Sequence, residues 1–548
     1  MLKSGGRIVV EALRANRIDH VFSVPGESFL PILDALVDAP DIRLTIARQE
    51  GGAAMMAEAF GKLTGRPGIA LVTRGPGAAN AYAGVHVAAQ DSVPMILLVG
   101  LIERGFVERE AFQEIDVKAM FGDQVKWAAT VSDTARLPEY LARAVSTSMS
   151  GRPGPVVLGL PEDVLSGEAE AAPVPEAVVG RPAPSRAQMA RFGERLAAAR
   201  RPLMIVGGET WTADDCAALV GLSGRWSLPV AAAFRCQDRF PNDHPNYAGV
   251  AGLGIDPRLA ARIGESDLIV ALGARLGDCT TSSYTLIDIP GPAQGLIHIH
   301  ADAEELGRVY HGAMAINATV GEFLAAATRL AAPAQCAWVD WTRAANADYR
   351  AFSDTATALP GAFNLGEAVV WLRDRLPQDA IITNGAGNYS VWLHRFHRHR
   401  RYRTQLAPTS GSMGYGLPAA VAAKLVHPDR TVVCFAGDGC LQMTMQELGT
   451  IAEHQLKIIV IVVNNGMYAT IRMHQEAHYP GRVSGTDLFN PDFMALAGAY
   501  GLHGERVART ADFAPAFERA MATETAALIE VLPDPRVLTP GKVMGRDA

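Results

Sequence analysis

The sequence predicts an α/β protein made of three doubly wound domains, each containing a parallel sheet. At 548 residues the chain is too long for one hydrophobic core. Short apolar runs of strand length alternate with helical patterns along most of the chain. Repeated strand–helix units form parallel sheets with helices on both faces. We expect the three domains to span residues 1–165, 186–330 and 363–535.

The segments outside these domains have a different composition. Residues 166–185 are rich in Ala, Pro and Glu without a helical stripe, which predicts an extended linker. We expect a second interdomain stretch at 331–362 and a short surface tail after residue 535. The basic run HRFHRHRRYR at 394–403 could bind nucleic acid, but on an acidic chain a solvated loop is favoured.

Composition narrows the class of protein. Hydrophobic residues at 49% and charged residues at 20% are typical of a globular protein. A net charge of −7 argues against a general nucleic-acid binder. Six cysteines without a C-x-x-C pair predict neither a zinc site nor a disulfide framework, and a reducing cytoplasm is the expected compartment. The start of the chain predicts an amphipathic helix rather than a signal peptide, and no apolar run reaches membrane-spanning length.

One strand–helix–strand stretch of the third expected domain carries the clearest chemical pattern. An apolar run ends in GDG at 437–439, and a second apolar run ends in NN at 464–465. Between them lies a roughly four-turn amphipathic segment with Leu441, Met445, Leu448 and Ile451 at helical spacing. Two strands joined in this way are parallel neighbours, so Asp438 and Asn465 are both expected at their carboxyl ends. Ligands of α/β sheets bind at that edge.

The residue types at this edge favour a metal-bound diphosphate. A carboxylate and a side-chain carbonyl are hard oxygen ligands suited to Mg²⁺, which shares its coordination with phosphates. Gly439 allows close backbone approach, and the amides that open the next helix face an anion. GDG alone is a common strand turn, but an Asn 27 residues after Asp438 across this unit is far more specific.

GDG with a terminal NN resembles the signature of thiamine diphosphate enzymes. The pattern of nearly the whole chain is most similar to the acetohydroxyacid (acetolactate) synthase group. This resemblance implies a pyrimidine-binding first domain, a middle domain and a diphosphate-binding third domain. It also implies that Asp438, Asn465 and the backbone carbonyl of Met467 hold Mg²⁺. The implied contacts to thiamine diphosphate are Pro25, Gly26, Gly387, Asn388, Tyr389, Gly411, Met413, Gly437, Gly439, Cys440, Met467 and Tyr468.

Three of these positions bear on how the cofactor is held. Met413 stands where the family places a bulky apolar residue under the bent cofactor, although core packing is the usual role of Met. Asn388 and Tyr389 stand where synthases often carry Gln and His. Polar contact to the diphosphate survives that change.

Glu50 is the candidate for proton transfer. A carboxylate at the aminopyrimidine ring favours the imino tautomer, whose nitrogen takes the C2 proton of the thiazolium. From the sequence alone, the favoured interpretation of Glu50 is a helix N-terminal glutamate stabilised by the helix dipole. The resemblance decides in favour of the catalytic role, because the family motif places its glutamate at this point of the first domain.

The substrate side departs from the synthase pattern. Phe112 and Gln113 match the pair that faces the reacting carbons in synthases. Glu162 stands where synthases carry lysine, and His474 where they carry tryptophan. The adjacent His pair typical of pyruvate decarboxylases is absent. In the PGES motif, Glu27-Ser28 replaces the glycine of the synthases.

The synthases also bind FAD in their middle domain. Arg275 and Gly207 match that contact pattern, whereas four other positions carry different residues from those expected. We therefore expect FAD binding to be weak or absent. The four changed positions are Glu209, Gly254, Gly277 and Cys279.

The leading hypothesis is a lyase or carboligase acting on a small 2-oxo acid. CO₂ leaves, and the resulting enamine is protonated or captured by a second carbonyl compound. A simple 2-oxo acid decarboxylase and a diketone-cleaving enzyme remain alternatives.

A nicotinamide-dependent dehydrogenase is disfavoured because no strand leads into G-x-G-x-x-G with an acidic residue further on. An inert binding homologue is disfavoured because Glu50, Asp438 and Asn465 are all present. We expect a homodimer or homotetramer with sites shared between chains, and neither nucleic acid nor membrane as a partner.

Overall fold

The computed structural model describes residues 2–171, 176–208 and 210–545. By internal packing the chain divides into two compact units. The first contains Met1–Gly180, Pro408–Pro428 and Met443–Leu456; the second contains Arg181–Ala407, Asp429–Gln442 and Lys457–Ala548. None of the helices in the described part of the chain combines the length and hydropathy needed to cross a membrane.

Three six-stranded sheets confirm the predicted fold class, since every neighbouring pair of strands in them is parallel. Helices connect the strands, as expected for doubly wound domains. The three sheets come in sequence from the first, middle and last parts of the chain. The predicted domain boundaries themselves stay predictions.

The first sheet has the strand order β3-β2-β4-β5-β7-β6. Its apolar strands are buried on both faces, as is typical of parallel sheets. The strands of this part of the chain are β1 (Leu2–Ser4), β2 (His20–Ser23), β3 (Arg43–Ile46), β4 (Gly68–Val72), β5 (Met95–Leu101), β6 (Trp127–Thr130), β7 (Pro155–Pro161) and β8 (Glu168–Glu170). The helices are α1 (Gly5–Ala15), α2 (Leu30–Val37), α3 (Glu50–Thr64), α4 (Pro76–Asp91), α5 (Val117–Phe121), α6 (Leu137–Met149) and α7 (Glu162–Ser166).

Helix α3 is the central helix of the first unit. Its residues from Gly51 to Leu63 are all buried, and small side chains on it allow close helix packing. A Cβ built on Gly84 of α4 would lie 2.4 Å from the Cβ of Ala54. The helix therefore presents its first residue, Glu50, from a rigid support.

The middle sheet has the strand order β11-β10-β9-β12-β13-β14. Its strands are β9 (Pro202–Val206), β10 (Val230–Ala233), β11 (Tyr247–Ala251), β12 (Leu268–Leu272), β13 (Gly295–His300) and β14 (Met314–Asn317). The helices are α8 (Arg186–Ala198), α9 (Ala213–Trp226), α10 (Pro257–Glu265), α11 (Val320–Ala327) and α12 (Val339–Ser353).

The third sheet has the strand order β16-β15-β17-β18-β20-β19. The strands of this part are β15 (Ile381–Asn384), β16 (Gln405–Leu406), β17 (Val432–Gly437), β18 (Ile459–Val463), β19 (His503–Val507), β20 (Ala527–Val531), β21 (Val537–Thr539) and β22 (Lys542–Val543). The helices are α13 (Leu365–Arg375), α14 (Tyr389–Phe396), α15 (Gly416–Val426), α16 (Asp438–Gln442), α17 (Leu448–Glu453), α18 (Ala469–His478), α19 (Phe493–Ala499) and α20 (Thr510–Ala522). Single 3₁₀ turns occur at Glu27–Phe29, Arg104–Phe106, Thr134–Arg136, Gln237–Arg239, Ala303–Glu305 and Met445–Glu447.

The strand–helix–strand prediction around GDG is confirmed in its strands, because β17 and β18 are parallel neighbours. The predicted four-turn helix between them, with Leu441, Met445, Leu448 and Ile451 on one face, is wrong. The segment breaks into α16, a 3₁₀ turn and α17. At the break, Thr444 has a φ of −142°, and its hydroxyl donates to the carbonyl of Gly414 at 2.7 Å.

The predicted linkers and tail contain more structure than expected. In 166–185, β8 pairs antiparallel with β1, while residues 172–175 lie outside the described residues. In 331–362, α12 packs on the middle core, and Trp338 donates from its ring nitrogen to Trp226 O at 2.9 Å. After residue 535, β21 and β22 pair antiparallel, and Leu538 is buried. Local composition concealed these elements because long-range contacts stabilise them.

The basic run at 394–403 is not the solvated loop predicted from its charge. His394, His397 and His399 are all buried. The backbone N–H of His399 donates to Asn242 Oδ1 at 2.9 Å, and a ring nitrogen lies 2.9 Å from Thr404 Oγ1. Burial lowers the pKa of all three imidazoles, that of His399 to about 3.

This burial predicts acid sensitivity. An unfolded histidine has a pKa of about 6.5, so between that value and about pH 3 the unfolded chain binds more protons at His399 than the folded chain does. Stability therefore falls as the pH drops through this window. We expect the wild type to lose about 2 kcal/mol between about pH 7 and pH 5 that a His399→Gln variant does not lose. Urea denaturation at both pH values measures this, and a stability difference that is independent of pH would contradict it.

Candidate cofactor and metal site

Three adjacent strands of the second unit end at one edge of the third sheet. The strand order reverses between β15 and β17, which makes this edge the topological switch point where α/β sheets bind ligands. The segments at the carboxyl ends of β15, β17 and β18 cover residues 385–389, 437–440 and 464–468. The structure thus brings the sequence-predicted diphosphate and metal residues to neighbouring strand ends.

Asp438 follows directly after β17 and its side chain is almost completely buried. Its Oδ1 accepts a hydrogen bond from the N–H of Gly439 at 2.9 Å. Its Oδ2 accepts from the N–H of Gly466 and from Asn490 Nδ2, both at 2.8 Å. Burial raises the pKa of Asp438, and these amide donors oppose the shift. A buried carboxylate held by neutral amides is suited to binding a cation.

The two asparagines after β18 have different roles. Asn464 is part of the scaffold, because its Nδ2 donates to the buried Glu530 at 2.7 Å and its Oδ1 accepts from Asn490 at 2.9 Å. Asn465 is half-buried, and its Oδ1 accepts from the N–H of Met467 at a longer distance of 3.3 Å. Asn465 therefore has the weaker protein contact and is the better candidate ligand.

The donor set at this edge fits Mg²⁺. One carboxylate, one amide oxygen and one backbone carbonyl are hard ligands, and few of them are needed when a diphosphate supplies the others. Among the described residues, no group of three or more His, Cys, Asp or Glu side chains forms a metal cluster. A Mg²⁺ site that shares its coordination with a diphosphate needs only one carboxylate.

Asn490 was not among the site residues predicted from the sequence. Its Nδ2 donates to both Asp438 and Asn464, and its Oδ1 accepts from Gln442 Nε2 at 2.8 Å. It links the ends of β17 and β18 from a loop 25 residues beyond Asn465. No local pattern marks this asparagine, since its role depends on tertiary contacts.

The loop after β15 packs against the GDG turn through Tyr389. The Tyr389 hydroxyl accepts from the N–H of Gly385 at 3.0 Å and lies 3.4 Å from Cys440 Sγ. Burial raises its pKa well above the usual value. Gly387 has a φ of +144°, which requires glycine, and a Cβ on Gly437 would lie 3.1 Å from the tyrosine ring. The buried Tyr389 side chain therefore connects the segment after β15 to the GDG turn.

Two further contacts position this edge. Asn388 Oδ1 accepts from Thr470 Oγ1 at 2.9 Å, which joins the loop after β15 to α18. A Cβ on Gly439 would lie 2.6 Å from the ring of Tyr468, so only glycine fits there. Arg235 of the middle sheet is buried and donates to the carbonyl of Gly385 at 2.9 Å. Sequence analysis did not predict this support from the middle domain.

In the first unit, Glu50 is the first residue of α3, as predicted. Its side chain is half-buried, and Oε2 accepts a hydrogen bond from Asn80 Nδ2 at 2.9 Å. A Cβ on Gly77 would lie 3.4 Å from Glu50 Oε1, which shows how closely the start of α4 approaches. Asn80 lies in the first turns of α4, and its contact with Glu50 was not predicted.

Other predicted residues of the first unit lie around the loop after β4. Thr73 Oγ1 lies 2.9 Å from Ser28 Oγ, and a Cβ on Gly26 would lie 2.8 Å from Thr73 Cβ. Gly75 has a φ of +55°, and a Cβ there would lie 2.9 Å from the Cβ of Gln113. Gly26 and Gln113 therefore flank the loop that leads to α4. Pro25 and Phe112 are exposed.

Arg74 links the positions that depart from the synthase pattern. Its guanidinium is buried and donates to Phe112 O at 3.2 Å and to Glu27 Oε1 at 3.3 Å. Glu162 Oε2 lies 3.8 Å from Nη1 of the same arginine. Glu27 and Glu162 thus share one cation, a pairing that sequence analysis did not predict.

Gly411 and Met413 belong by packing to the first unit, together with Glu50. Gly411 is exposed with a φ of +70°, and Met413 is half-buried. Met413 is therefore not a fully buried core methionine, and its side chain retains surface for a ligand.

Comparisons with known proteins agree with this arrangement. The family model for the N-terminal TPP binding domain of thiamine pyrophosphate enzymes matches residues 3–120, that for the central domain residues 189–327, and that for the C-terminal TPP binding domain residues 385–531.

Curated relatives match over nearly the whole chain. The acetolactate synthase isozyme 2 large subunit of Escherichia coli (strain K12) is 30% identical over 96% of this chain and 95% of its own length. The acetolactate synthase large subunit of Parasynechococcus marenigrum is 33% identical over 92% of this chain and 83% of its own length. The acetolactate synthase large subunit of Corynebacterium glutamicum is 31% identical over 94% of this chain and 84% of its own length. The chain therefore belongs to the thiamine pyrophosphate enzyme family, as an acetolactate synthase-like, thiamine-diphosphate-dependent enzyme.

Proposed function

We propose that this enzyme is a lyase and carboligase acting on a small 2-oxo acid. The observation that carries the proposal is the presence of Glu50 at one strand edge of the first unit and of Asp438 with Asn465 at another edge of the second. The named relatives are acetolactate synthases. Bound thiamine diphosphate supplies a carbon nucleophile that attacks the 2-oxo carbonyl and accepts the electrons released with CO₂.

The proposed metal ligands are Asp438, Asn465 and the Met467 carbonyl, which would hold Mg²⁺ against the diphosphate. Glu50 would hold the aminopyrimidine end, and Asn80 keeps its carboxylate oriented through a 2.9 Å hydrogen bond. Phe112 and Gln113 would face the reacting carbons. The remaining proposed cofactor contacts are Pro25, Gly26, Gly387, Asn388, Tyr389, Gly411, Met413, Gly437, Gly439, Cys440 and Tyr468.

A simple decarboxylase or a diketone-cleaving enzyme is the second candidate. The departures at Glu162 and His474 favour it, because His474 replaces a tryptophan that shapes the second-substrate pocket of synthases. In this chain Glu162 and Glu27 both lie next to Arg74, whose guanidinium donates to the Phe112 carbonyl.

We propose that FAD binding is weak or absent. Of the two positions that match the flavin contact pattern, Arg275 pairs with Glu305 at 3.3 Å. Gly254, Gly277 and Cys279 differ from the residues that the flavin contact pattern requires at these positions. Glu209 also differs, and it lies outside the described residues. A partly satisfied set of contacts gives little affinity.

We further propose a homodimer or homotetramer with shared sites. One cofactor has to contact both Glu50 and Asp438, which belong to different units of the chain. Two chains related by a two-fold axis could apply the first unit of each to the second unit of the other. This isologous arrangement is the commonest symmetry of soluble oligomers.

The function is tested by supplying the Mg²⁺ and thiamine diphosphate holoenzyme with a panel of 2-oxo acids. CO₂ and coupled products are measured with and without an added carbonyl acceptor. We expect CO₂ release together with a coupled 2-hydroxy-ketone product, and no change on adding FAD. Aldehyde as the only product would support the decarboxylase alternative, and no turnover of any 2-oxo acid would contradict both.

Asp438→Ala should abolish cofactor retention. The change removes the carboxylate that would anchor Mg²⁺ and, through it, the diphosphate. The measurement is thiamine diphosphate bound per chain after gel filtration in Mg²⁺. Asp429→Ala, an exposed aspartate just before β17, is the control and should retain the cofactor. Stoichiometric cofactor on the Asp438→Ala variant would show that the metal assignment is wrong.

Glu50→Gln should bind cofactor nearly normally but lose most of its activity. The amide keeps an oxygen for Asn80 but cannot drive proton transfer, which is worth on the order of 10²–10⁴ in rate. The measurement is hydrogen–deuterium exchange at C2 of bound thiamine diphosphate. Glu139→Gln removes another first-turn glutamate, on α6, and controls for a helix-dipole effect. If C2 exchange in Glu50→Gln equals that of wild type, Glu50 is not the proton-transfer group.

Shared sites predict complementation between inactive variants. A mixed dimer of Glu50→Gln and Asp438→Ala chains would contain one doubly damaged site and one intact site. Its activity should approach about half that of wild type if the sites are independent. Differently tagged chains, refolded together and purified through both tags, provide the mixed dimer. No recovered activity in that dimer, or a fully active monomer by sedimentation, would contradict shared sites.

A further inference from the structure

Glu447 is a completely buried carboxylate beside the proposed catalytic residue of the first unit. It ends the 3₁₀ turn Met445–Glu447, directly before α17. Its two oxygens lie 3.1 and 3.3 Å from the backbone nitrogen of Arg48, and it also accepts from the N–H of Gln49. Thr450 Oγ1 donates to Oε2 at 2.7 Å. The carboxylate is thus held in one orientation.

The backbone that Glu447 holds leads directly into Glu50. Gln49 is the N-cap of α3, and its own side chain accepts from Gly51 N at 2.6 Å and Gly52 N at 3.1 Å. The N–H groups of residues 48 and 49 precede the helix and have no helical carbonyl partner. Glu447 accepts hydrogen bonds from these two amides, and the Gln49 side chain accepts from the first amides of α3. The turn from β3 into α3 is therefore fixed at both of its ends.

Helix α3 also packs directly on this carboxylate. A Cβ built on Gly52 would lie 2.6 Å from Glu447 Oε1 and 3.0 Å from its Cδ. Glycine at position 52 therefore allows the first turn of α3 to approach Glu447. The direction in which Glu50 leaves the backbone depends on that approach.

A buried carboxylate is a costly way to cap two amides. Burial raises the pKa of Glu447, and the hydrogen bonds from Thr450 and Arg48 oppose the shift. An amide side chain of the same size has only one acceptor oxygen, so it cannot accept from Arg48, Gln49 and Thr450 in the same way. The carboxylate is the group that fits all three donors.

We propose that Glu447 is a positioning residue for Glu50: it fixes the backbone of residues 48 and 49, and thereby the direction of the Glu50 side chain. This inference rests on the proposed function, in which Glu50 assists proton transfer. A misplacement of about 1 Å in a catalytic group is enough to cost on the order of 10² in rate.

The test compares Glu447→Gln, Glu447→Ala and a matched control in the full-length protein. Glu453→Gln is the control, because Glu453 also contacts Arg48 from α17, but through the exposed Arg48 side chain at 2.6 Å. Hydrogen–deuterium exchange with mass spectrometry follows the peptide covering residues 44–56, with and without Mg²⁺ and thiamine diphosphate. Cofactor affinity is measured by titration, and kcat and KM are measured for a 2-oxo acid that the wild type converts.

We expect the rate of hydrogen exchange at residues 48 and 49 to rise about tenfold or more in Glu447→Gln. This is the effect of losing the protection that one hydrogen bond gives to an amide. The kcat should fall about tenfold to a hundredfold, while the substrate KM and the affinity for thiamine diphosphate change by less than about threefold. Glu447→Ala should show larger effects of the same kind, and Glu453→Gln should resemble wild type in every measurement.

Unchanged exchange at residues 48 and 49 in Glu447→Gln would overturn the positioning role, and so would a wild-type kcat. Equal losses of kcat and cofactor affinity would also overturn it, because they would indicate general damage to the fold. The exchange measurement without cofactor does not depend on any reaction. If the wild type converts no 2-oxo acid, the proposed function fails while the exchange result still decides whether Glu447 holds the start of α3.

Discussion

The carboxylate of Asp438 is removed from water at the end of β17, where three neutral amide groups hold it. Burying a charge among neutral donors costs free energy, and a bound cation offsets that cost. The surrounding residues maintain this arrangement: Asn490 bridges to Asn464, which donates to Glu530, and Arg506 in turn pairs with Glu530 at 2.6 Å. The second unit therefore holds its proposed metal ligand through a chain of polar contacts.

Helix α3 has the corresponding role in the first unit. Besides carrying Glu50 at its start, it buries an ionic network along its length. Burial raises the pKa of Glu58 to about 8, and Lys62 lies 3.2 Å from that carboxyl group. Lys62 also pairs with Asp91, which accepts from the N–H of Thr409 at 2.7 Å. This network connects the segment that contains Met413 to α3, the helix that begins with Glu50.

The elements that sequence analysis predicted are those with local signals. Apolar runs give strands, and the rule that parallel strands end at one edge places Asp438 and Asn465 together. What escaped prediction depends on distant partners. The helix break at Thr444 follows from a contact with Gly414, thirty residues earlier, and the burial of His399 follows from Asn242. Glu447 lacked a signal because an acid in a helical pattern is ordinarily a surface residue.

We propose that one cofactor contacts Glu50 of one chain and Asp438 of another. A crystal structure of the chain with Mg²⁺ and thiamine diphosphate tests it most directly. We expect Mg²⁺ about 2.0–2.1 Å from oxygens of Asp438, Asn465 and Met467, with Glu50 of a second chain in hydrogen-bond contact with the aminopyrimidine. A diphosphate bound away from Asp438, or an aminopyrimidine contacted by Glu50 of the same chain, would contradict it.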